Sequence, residues 1–396
     1  MLDASQQHAV DIMQREQLAV MTGPPGSGKT TTLRSVLAQH SGSYALAAPT
    51  GKAARRMAAV TEQPAVTLHR LLGYQGWTFA VTAECPLEVD TVFVDESSMI
   101  DYELAVALLR GSCCSRLVLI GDADQLPPVG KGRFFGDLID SGRVPVARLT
   151  TQHRAAAGSW VVRNAPRILR GERLELDGVH IDVDDADEVR DVVVTLARAD
   201  PNLVVLAPQY SGSAGVDALN IALDPILNAY GPTTPDELVF GRGPVFNPDS
   251  PSTPGDQPLR VGMRVMQTVN DYKLDVMNGE NGVVLGIVPK SHHVLVRYDE
   301  LGRDVDYTPE QARALVPAYA MTVHKTQGSE YGHVVVVVHS QHSRMLTRSL
   351  LYTAVTRAKQ RVTLVGNLKG IERALRTDAS KRQTTLAQRV AAEVAW

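Results

Sequence analysis

The chain has 396 residues, which is enough for two or three domains of about 150 residues each. Its 44% of hydrophobic and 21% of charged residues exclude wholesale disorder, collagen-like repeats and a long coiled coil. A net charge of -3 argues against a protein that coats nucleic acid by bulk electrostatics, but leaves room for a local basic channel. The longest wholly apolar run, residues 104–109, is far shorter than the ~20 residues of a membrane helix, and three cysteines favour a reducing compartment.

Strand and helix patterns alternate along the first part of the chain. Four apolar runs, LAVMTG, YALAAPT, TVFVDE and RLVLIGD, are each followed by a polar turn and a helical pattern. This alternation predicts a parallel sheet flanked by helices. We therefore predict a first α/β domain over residues 1–148.

A second alternation follows, and it is interrupted. The run LVVLAP and a helix over residues 214–228 come first, whereas HVVVVVH, SLLYTAVTRAK and RVTLVG come much later. Between them lie a stretch rich in Pro, Gly and Asp and four short alternating segments, which predict a small antiparallel barrel. The predicted fold class is α/β, with a second α/β domain over residues 149–258 and 316–396 and an insertion over residues 259–315.

The segment GPPGSGKT follows the first strand and precedes a helix, which is the context that a P-loop requires. Backbone N–H groups and the helix N-terminus would hold phosphates, while Lys29 reaches the β and γ oxygens and Thr30 binds Mg²⁺ through its hydroxyl. ATP and Mg²⁺ are therefore the predicted ligands. The predicted cradle comprises Gly23, Pro24, Pro25, Gly26, Ser27, Gly28, Lys29, Thr30 and Thr31.

Polar residues also end two later strands of the first domain. Asp95 and Glu96 follow the strand TVFV, and we expect Asp95 to hold Mg²⁺ and Glu96 to polarise an attacking water. This acid pair indicates a hydrolase rather than a kinase, because a kinase activates its acceptor instead of water. Gln125, after the strand RLVLIGD, has an amide that could sense a γ-phosphate, or it could simply belong to a proline-terminated turn.

Six ordered segments carry a family resemblance over almost the whole chain: GPPGSGKT, APTGKAARRM, VDESSMID, GDADQLPPVG, YAMTVHKTQGSEY and LLYTAVTRAKQRV. Their order resembles superfamily 1 helicases, specifically the group B, RecD-like enzymes. The resemblance implies two tandem RecA-like domains, an SH3-like barrel inserted in the second, and ATP held between the two domains. It further implies a motor that moves 5′ to 3′ on single-stranded DNA. Because Met1 stands close before the first motif, we expect a short form without the N-terminal extension of larger relatives.

The resemblance also assigns roles around the nucleotide. Gln6 matches the residue that reads adenine, with Gln7 as the alternative if the register differs by one. Arg154 and Arg357 match two arginines that stabilise the transition-state charge on the triphosphate. Three residues of the segment HKTQGSE match positions that touch nucleotide: Gln327, Gly328 and Glu330.

Further matches concern nucleic acid. Hydroxyl and cationic side chains suit phosphate contacts without sequence preference, and the matching positions are Thr50, Lys52, Thr67, His69, Thr322 and His324. A short hairpin insertion at about residues 74–90 contains Trp77 and Phe79, which match the place of a wedge that separates strands. Its shortness leaves that role open.

The predicted function is thus a DNA-dependent ATPase and 5′ to 3′ helicase in recombination or repair, located in the cytoplasm or on the nucleoid. Two alternatives are a single-strand translocase that unwinds poorly and a nucleotide-gated DNA-binding module. The expected partners are single-stranded DNA and 5′-tailed duplex DNA. RNA stays an alternative, since phosphate contacts do not distinguish it. A single ATP site requires no partner subunit, so a monomeric motor is expected, and no membrane association is predicted.

Overall fold

The computed structural model describes residues 2–113, 115–151, 159–228, 259–288, 290–378 and 384–393. It divides into two compact units. Unit 1 comprises Met1–Val162 with Asp378–Trp396, and unit 2 comprises Arg163–Thr377. Within the described ranges, no helix is both long and apolar enough to cross a membrane.

Unit 1 is built on a six-stranded parallel sheet in the order β3-β2-β4-β5-β1-β6. Its strands are β1 (Leu18–Thr22), β2 (Tyr44–Ala48), β3 (Ala65–Thr67), β4 (Thr91–Val94), β5 (Arg116–Gly121) and β6 (Val146–Arg148). Its first helices are α1 (Ala4–Arg15), α2 (Lys29–Gln39), α3 (Gly51–Thr61), α4 (Leu68–Leu71), α5 (Tyr102–Gly111) and α6 (Phe134–Asp140). The predicted parallel sheet is confirmed.

Both faces of this sheet are covered, which explains why its strands are continuously apolar. Successive residues of β1 face opposite sides, so that Val20 enters one core while Ala19 and Met21 enter the other. Strand β4 does the same with Val92 and Phe93. Because the strands are parallel, their carboxyl ends share one edge, and the loops that carry the P-loop, the acid pair and Gln125 leave from that edge.

Unit 2 combines a parallel and an antiparallel sheet, in the orders β14-β8-β15-β16-β7 and β12-β11-β10-β9-β13. Its helices are α7 (Trp160–Arg170, which begins in unit 1), α8 (Ala186–Ala199), α9 (Val216–Leu227), α10 (Pro309–Ala312), α11 (Arg348–Val355) and α12 (Leu368–Arg376). Its strands are β7 (His180–Asp182), β8 (Val204–Ala207), β9 (Arg264–Gln267), β10 (Asn281–Ile287), β11 (Val294–Tyr298), β12 (Arg303–Tyr307), β13 (Leu315–Pro317), β14 (Ala320–Thr322), β15 (Tyr331–Val337) and β16 (Ala358–Gly366).

The antiparallel sheet is the predicted insertion. Buried and exposed residues alternate along β11, as expected for a sheet with one solvated face. Inside it, the hydroxyls of Tyr298 and Tyr307 are 2.6 Å apart, and Tyr307 donates to Gln267 Oε1 at 3.2 Å. Strand β13 pairs with β9, so the sheet extends to Pro317, slightly beyond the predicted end at residue 315. Its assignment to the SH3-like class remains a prediction.

The end of the chain groups with unit 1, whereas the sequence prediction assigned residues 316–396 to the second domain. Helix α13 (Leu386–Glu393) packs on α6, and Leu386 joins the core on that side of the sheet. Thr384 donates to the buried Asp137 at 2.8 Å, and Arg143 donates to the carbonyl of Ala391 at 2.9 Å. These contacts hold the terminal helix on unit 1. The division between the units also falls after Val162 rather than after residue 148.

Candidate functional site

The P-loop connects β1 to α2 at the carboxyl edge of the unit 1 sheet. Gly26 and Gly28 have φ angles of 79° and 83°, in the left-handed region that glycine adopts without a steric penalty. Gly28 is the N-cap of α2, and no side chain caps that helix. The loop therefore presents its backbone N–H groups and a helix N-terminus, which together suit a phosphate.

Lys29 bends back over this loop. Its ammonium donates to the carbonyl oxygens of Gly23 at 2.7 Å and Pro24 at 3.1 Å. The Ser27 hydroxyl is buried and has no hydrogen-bond partner among the described residues. Neutral carbonyls are weaker partners for an ammonium than phosphate oxygens, so a triphosphate would draw Lys29 away from the loop.

Asp95 and Glu96 follow β4 at the same edge as the P-loop. The Glu96 amide donates to Asp95 Oδ1 at 2.8 Å, and Glu96 has a left-handed φ of 51°, which is strained for a residue other than glycine. Burial, and secondly the neighbouring charge of Glu96, raise the pKa of Asp95 to about 6, while Lys29 opposes this shift. Two adjacent, partly buried carboxylates are a donor set that fits Mg²⁺.

Asp95→Asn is expected to stabilise the nucleotide-free protein above about pH 6, while abolishing hydrolysis. The pKa of Asp95 is higher in the folded chain than the ordinary value of about 3.9, so its ionised form opposes folding above pH 6, by roughly 3 kcal/mol. Below about pH 4 the group is protonated in both states and the effect disappears. Urea unfolding without Mg²⁺ at both ends of this range measures the difference, and an equal effect at both would contradict it.

Gln125 follows β5 and is buried. Its amide nitrogen donates to Asp122 Oδ2 at 3.2 Å, and its carbonyl oxygen has no partner among the described residues. Ser98, three residues after Asp95, also has a buried hydroxyl without a partner there, and the two residues line one small cavity. The structure thus brings Gln125 next to the segment that carries the acid pair.

Gln6 lies against the P-loop. It is 4% exposed, and its amide nitrogen donates to the carbonyl of Ser27 at 3.4 Å. Its side-chain oxygen accepts from the Asp3 amide at 3.0 Å, which closes a capping box at the start of α1. Gln7 is exposed and contacts Asp11 instead. The geometry therefore favours Gln6 over Gln7 as the residue near a nucleotide.

In unit 2, Arg357 follows α11 and is only 3% exposed. Its guanidinium donates to the carbonyls of Thr353 at 3.1 Å and Ser329 at 3.2 Å, and to the Thr356 hydroxyl at 3.4 Å. The contact with Ser329 joins Arg357 to the segment that contains the other predicted nucleotide residues of this unit, Gln327, Gly328 and Glu330. Arg154 lies outside the described residues.

The residues of unit 1 that are predicted to contact DNA differ in their local structural roles. Thr50 and Thr67 are the N-caps of α3 and α4, where their hydroxyl oxygens accept from backbone amides at 3.2 Å. Each hydroxyl hydrogen is still able to donate to a phosphate. Lys52 is only 8% exposed. The sequence predicted a DNA contact for Lys52 and did not indicate that its side chain is buried.

His69 belongs to an aromatic cluster with the short hairpin. Its ring is 5.1 Å from Tyr74 in an edge arrangement and 6.1 Å from Phe79. Tyr74 and Phe79 form the antiparallel bridge of the hairpin. Trp77, at the tip, is 95% exposed. The hairpin therefore packs Phe79 inward and presents Trp77 to solvent.

Thr322 and His324 lie at and beyond the carboxyl end of β14, next to β8. The Tyr210 hydroxyl is within hydrogen-bonding reach of the Thr322 side chain, and burial raises the pKa of Tyr210. Sequence reasoning did not single out Tyr210. The signal was present, because Tyr210 follows the strand run LVVLAP at the edge where polar side chains collect in a parallel sheet.

Known proteins resemble this chain over most of its length. An AAA domain model matches residues 6–131, and a UvrD-like helicase C-terminal domain model matches residues 317–365. The ATP-dependent RecD2 DNA helicase of Deinococcus radiodurans is 35% identical over 99% of this chain, which spans 53% of that relative. The RecBCD enzyme subunit RecD of Mycobacterium tuberculosis is 33% identical over 93% of this chain and 70% of its own length.

Solved structures agree on the fold. A structure from a study of DNA unwinding at forked duplex DNA by two coordinating Pif1 helicases has a TM-score of 0.63 at 22% identity, covering 97% of this chain and 95% of that one. This likeness shows the architecture of two RecA-like domains. The identity of 33% to RecD, over 70% of that protein's length, shows that the chain belongs to the RecD-like group of superfamily 1 helicases.

Proposed function

We propose that the chain is a DNA-dependent ATPase that moves 5′ to 3′ along single-stranded DNA and unwinds duplex DNA. The observation that carries the proposal is the combination of a P-loop and an adjacent acid pair in unit 1 with a buried arginine, Arg357, in a second RecA-like unit. A motor needs a catalytic group from each unit, because ATP hydrolysis can then depend on the movement of one unit relative to the other.

Each residue of the proposed ATP site has a separate role in hydrolysis. Lys29 and the P-loop amides would bind the phosphates, and Thr30 and Asp95 would hold Mg²⁺, which would supply positive charge to the triphosphate. Glu96 orients and polarises the attacking water. Arg357, together with Arg154, would stabilise the charge that develops in the transition state. Gln125, next to the acid pair, would sense the γ-phosphate, while Gln6 would read adenine beside the P-loop.

DNA contact is proposed at the carboxyl edges of both parallel sheets. Thr50 and Thr67 in unit 1 and Thr322 and His324 in unit 2 offer hydroxyl and imidazole groups. Such groups bind backbone phosphates independently of sequence. Stacking of a base on the exposed Trp77 ring is a second mode that tolerates any sequence.

Unwinding of tailed duplexes tests this proposal. The protein, with ATP and Mg²⁺, is mixed with duplexes that carry a single-stranded 5′ or 3′ tail of the same length. We expect strand separation only from the 5′ tail. Separation from the 3′ tail alone would reverse the proposed polarity.

One observation favours translocation with little unwinding as a second candidate. The hairpin that would divide the strands is short, because its tip spans only the residues between Tyr74 and Phe79, which form its one antiparallel bridge, and the Gln75 amide donates to the carbonyl of Thr78 at 2.8 Å within it. A translocase of this kind would hydrolyse ATP on single-stranded DNA and leave both tailed duplexes intact.

Trp77→Ala is expected to reduce duplex unwinding about fivefold or more, since an aromatic stacking contact is worth roughly 1–3 kcal/mol. Hydrolysis of ATP on single-stranded DNA should change little, because Trp77 is 95% exposed and takes no part in the core. Val106→Ala removes another exposed apolar side chain of unit 1, on α5, and serves as the control. Equal unwinding by both variants would remove Trp77 from the proposed wedge.

A further inference from the structure

Ser98 and Gln125 each have one buried polar atom that lacks a hydrogen-bond partner among the residues that the structure describes. The Ser98 side chain is 8% exposed, and its hydroxyl group is able to donate one hydrogen bond. In Gln125, which is 6% exposed, the atom is the carbonyl oxygen Oε1, which only accepts. A buried donor and a buried acceptor therefore remain on two neighbouring segments, and leaving either one unpaired is unfavourable.

The two residues line the same small cavity. Arg133 also lines it, but the Nη1 atom of Arg133 donates to Asp140 at 2.7 Å, and the rest of the described lining is apolar. The cavity is about 10 Å³ in volume, which is close to the smallest space that holds one water molecule. A buried water also needs at least two polar partners, and Ser98 and Gln125 are suited to be those partners.

The backbone packs the two segments together at the end of β5. Ser98 belongs to the short 3-10 turn Ser97–Met99, which directly follows the acid pair. Gly121 is the last residue of β5, and a Cβ atom there would be 3.2 Å from the amide nitrogens of both Ser97 and Ser98. Because this residue has no side chain, the turn can approach the start of the loop that carries Gln125.

The neighbours of Gln125 determine which way its amide group points. The amide nitrogen Nε2 donates to Asp122 Oδ2 at 3.2 Å. The reversed amide would place Oε1 against the Asp122 carboxylate, where two oxygens would repel each other. With Nε2 on the side of Asp122, Oε1 needs a donor, and the second hydrogen of Nε2 is left for another acceptor. A phosphate oxygen is such an acceptor.

We propose that Ser98 is a positioning residue for Gln125, and that its hydroxyl group holds Gln125 Oε1 through one water molecule in the shared cavity. Gln125 then keeps one N–H group in position for the γ-phosphate of ATP. Since Ser98 is two residues after Glu96, the same water joins the phosphate sensor to the segment of the acid pair. The inference rests on the proposed function and deepens it, because the sequence analysis assigned no role to Ser98.

The binding of fluorescent ADP and of a fluorescent ATP analogue with a β,γ-imido bond, both with Mg²⁺ and without DNA, tests the proposal. The ratio of the two dissociation constants measures how strongly the site recognises the γ-phosphate. Ser98→Ala is expected to reduce this ratio about three- to tenfold, the contribution of one hydrogen bond, with the ADP affinity unchanged. An unchanged ratio, or equal weakening of both nucleotides, would overturn the proposal.

A double-mutant cycle shows whether Ser98 acts through Gln125. In the Gln125→Ala background, we expect Ser98→Ala to cause no further loss of the ratio. Ser97→Ala is the matched control, because the Ser97 hydroxyl is also buried but donates to the carbonyl of Val94 at 2.9 Å. Its effect should be the same with and without Gln125. Additive effects of Ser98→Ala and Gln125→Ala in folded variants would overturn the proposal.

A crystal structure of the wild-type chain that shows ordered water tests the same contact without any substitution, should a variant fail to fold. We expect one water molecule within hydrogen-bonding distance of Ser98 Oγ and Gln125 Oε1. A different donor to Oε1 in that structure would overturn the proposal. A wild type that binds neither fluorescent nucleotide would contradict the proposed function instead.

Discussion

Replacing Lys29 with alanine is expected to abolish measurable ATP hydrolysis, with kcat falling by about 10²- to 10³-fold or more, since removal of even one donor from a transition-state site costs that much. Lys29 is the cation of the P-loop, and its ammonium donates to the carbonyls of Gly23 and Pro24. With alanine at this position, the P-loop would offer no cation to the β and γ phosphates of a bound nucleotide. Steady-state release of phosphate, with single-stranded DNA present, measures the effect.

The control for Lys29→Ala is Lys131→Ala, which removes an exposed lysine from the same unit. Thermal unfolding of both variants shows whether the P-loop survives without the two hydrogen bonds from Lys29. A folded Lys29→Ala protein that still hydrolyses ATP faster with DNA than without it would refute the assignment of the ATP site.

Arg357→Ala is expected to lower kcat by about 10³- to 10⁵-fold, the range observed for arginines that stabilise phosphoryl transfer from outside the P-loop. Single-stranded DNA should still bind, because Arg357 is buried and its bonds are to Thr353, Ser329 and Thr356 rather than to the proposed DNA edge. Hydrolysis and DNA affinity are measured on the same preparation.

Loss of Arg357 also removes the guanidinium donor of the buried Ser329 carbonyl, whereas the carbonyl of Thr353 still accepts from the Thr356 hydroxyl at 3.0 Å. A buried acceptor that is left unsatisfied destabilises a protein by about 1–3 kcal/mol. Arg357→Lys therefore accompanies it, since lysine keeps the positive charge but not the fixed planar geometry of guanidinium. Arg344→Ala, at an exposed position of unit 2, controls for loss of one arginine. Full activity in a folded Arg357→Lys variant would show that a charge alone suffices, and full activity in Arg357→Ala would remove Arg357 from catalysis.

The sheet of unit 1 was predictable because its strands are buried on both faces and are therefore continuously apolar. The unit on which the last helix, α13, packs was not predictable. An apolar stripe on α13 indicates that the helix packs on something, but not which domain supplies the surface. The deciding contact is between Thr384 and Asp137, residues 247 positions apart in sequence, and no local pattern reports such a pair.

Local motifs predicted the P-loop and the acid pair because these sites are built from consecutive residues. The threonines were harder, since a threonine before a helix is equally suited to cap the helix and to contact a phosphate. Thr50 and Thr67 cap helices in the structure, and Lys52 is buried. The hydrogen bond from the Lys325 ammonium to Asn278 Oδ1, at 3.0 Å, joins the insertion to a later segment, so only the tertiary structure reveals it.

The decisive measurement for a DNA-dependent motor is the rate of ATP hydrolysis by the unaltered chain with and without single-stranded DNA. We expect hydrolysis to be slow alone and many times faster with DNA, because a motor hydrolyses ATP productively only when it can move. An RNA strand of the same length shows whether the stimulation requires DNA. Equal rates with and without DNA would contradict the central claim and would instead support a nucleotide-gated binding module.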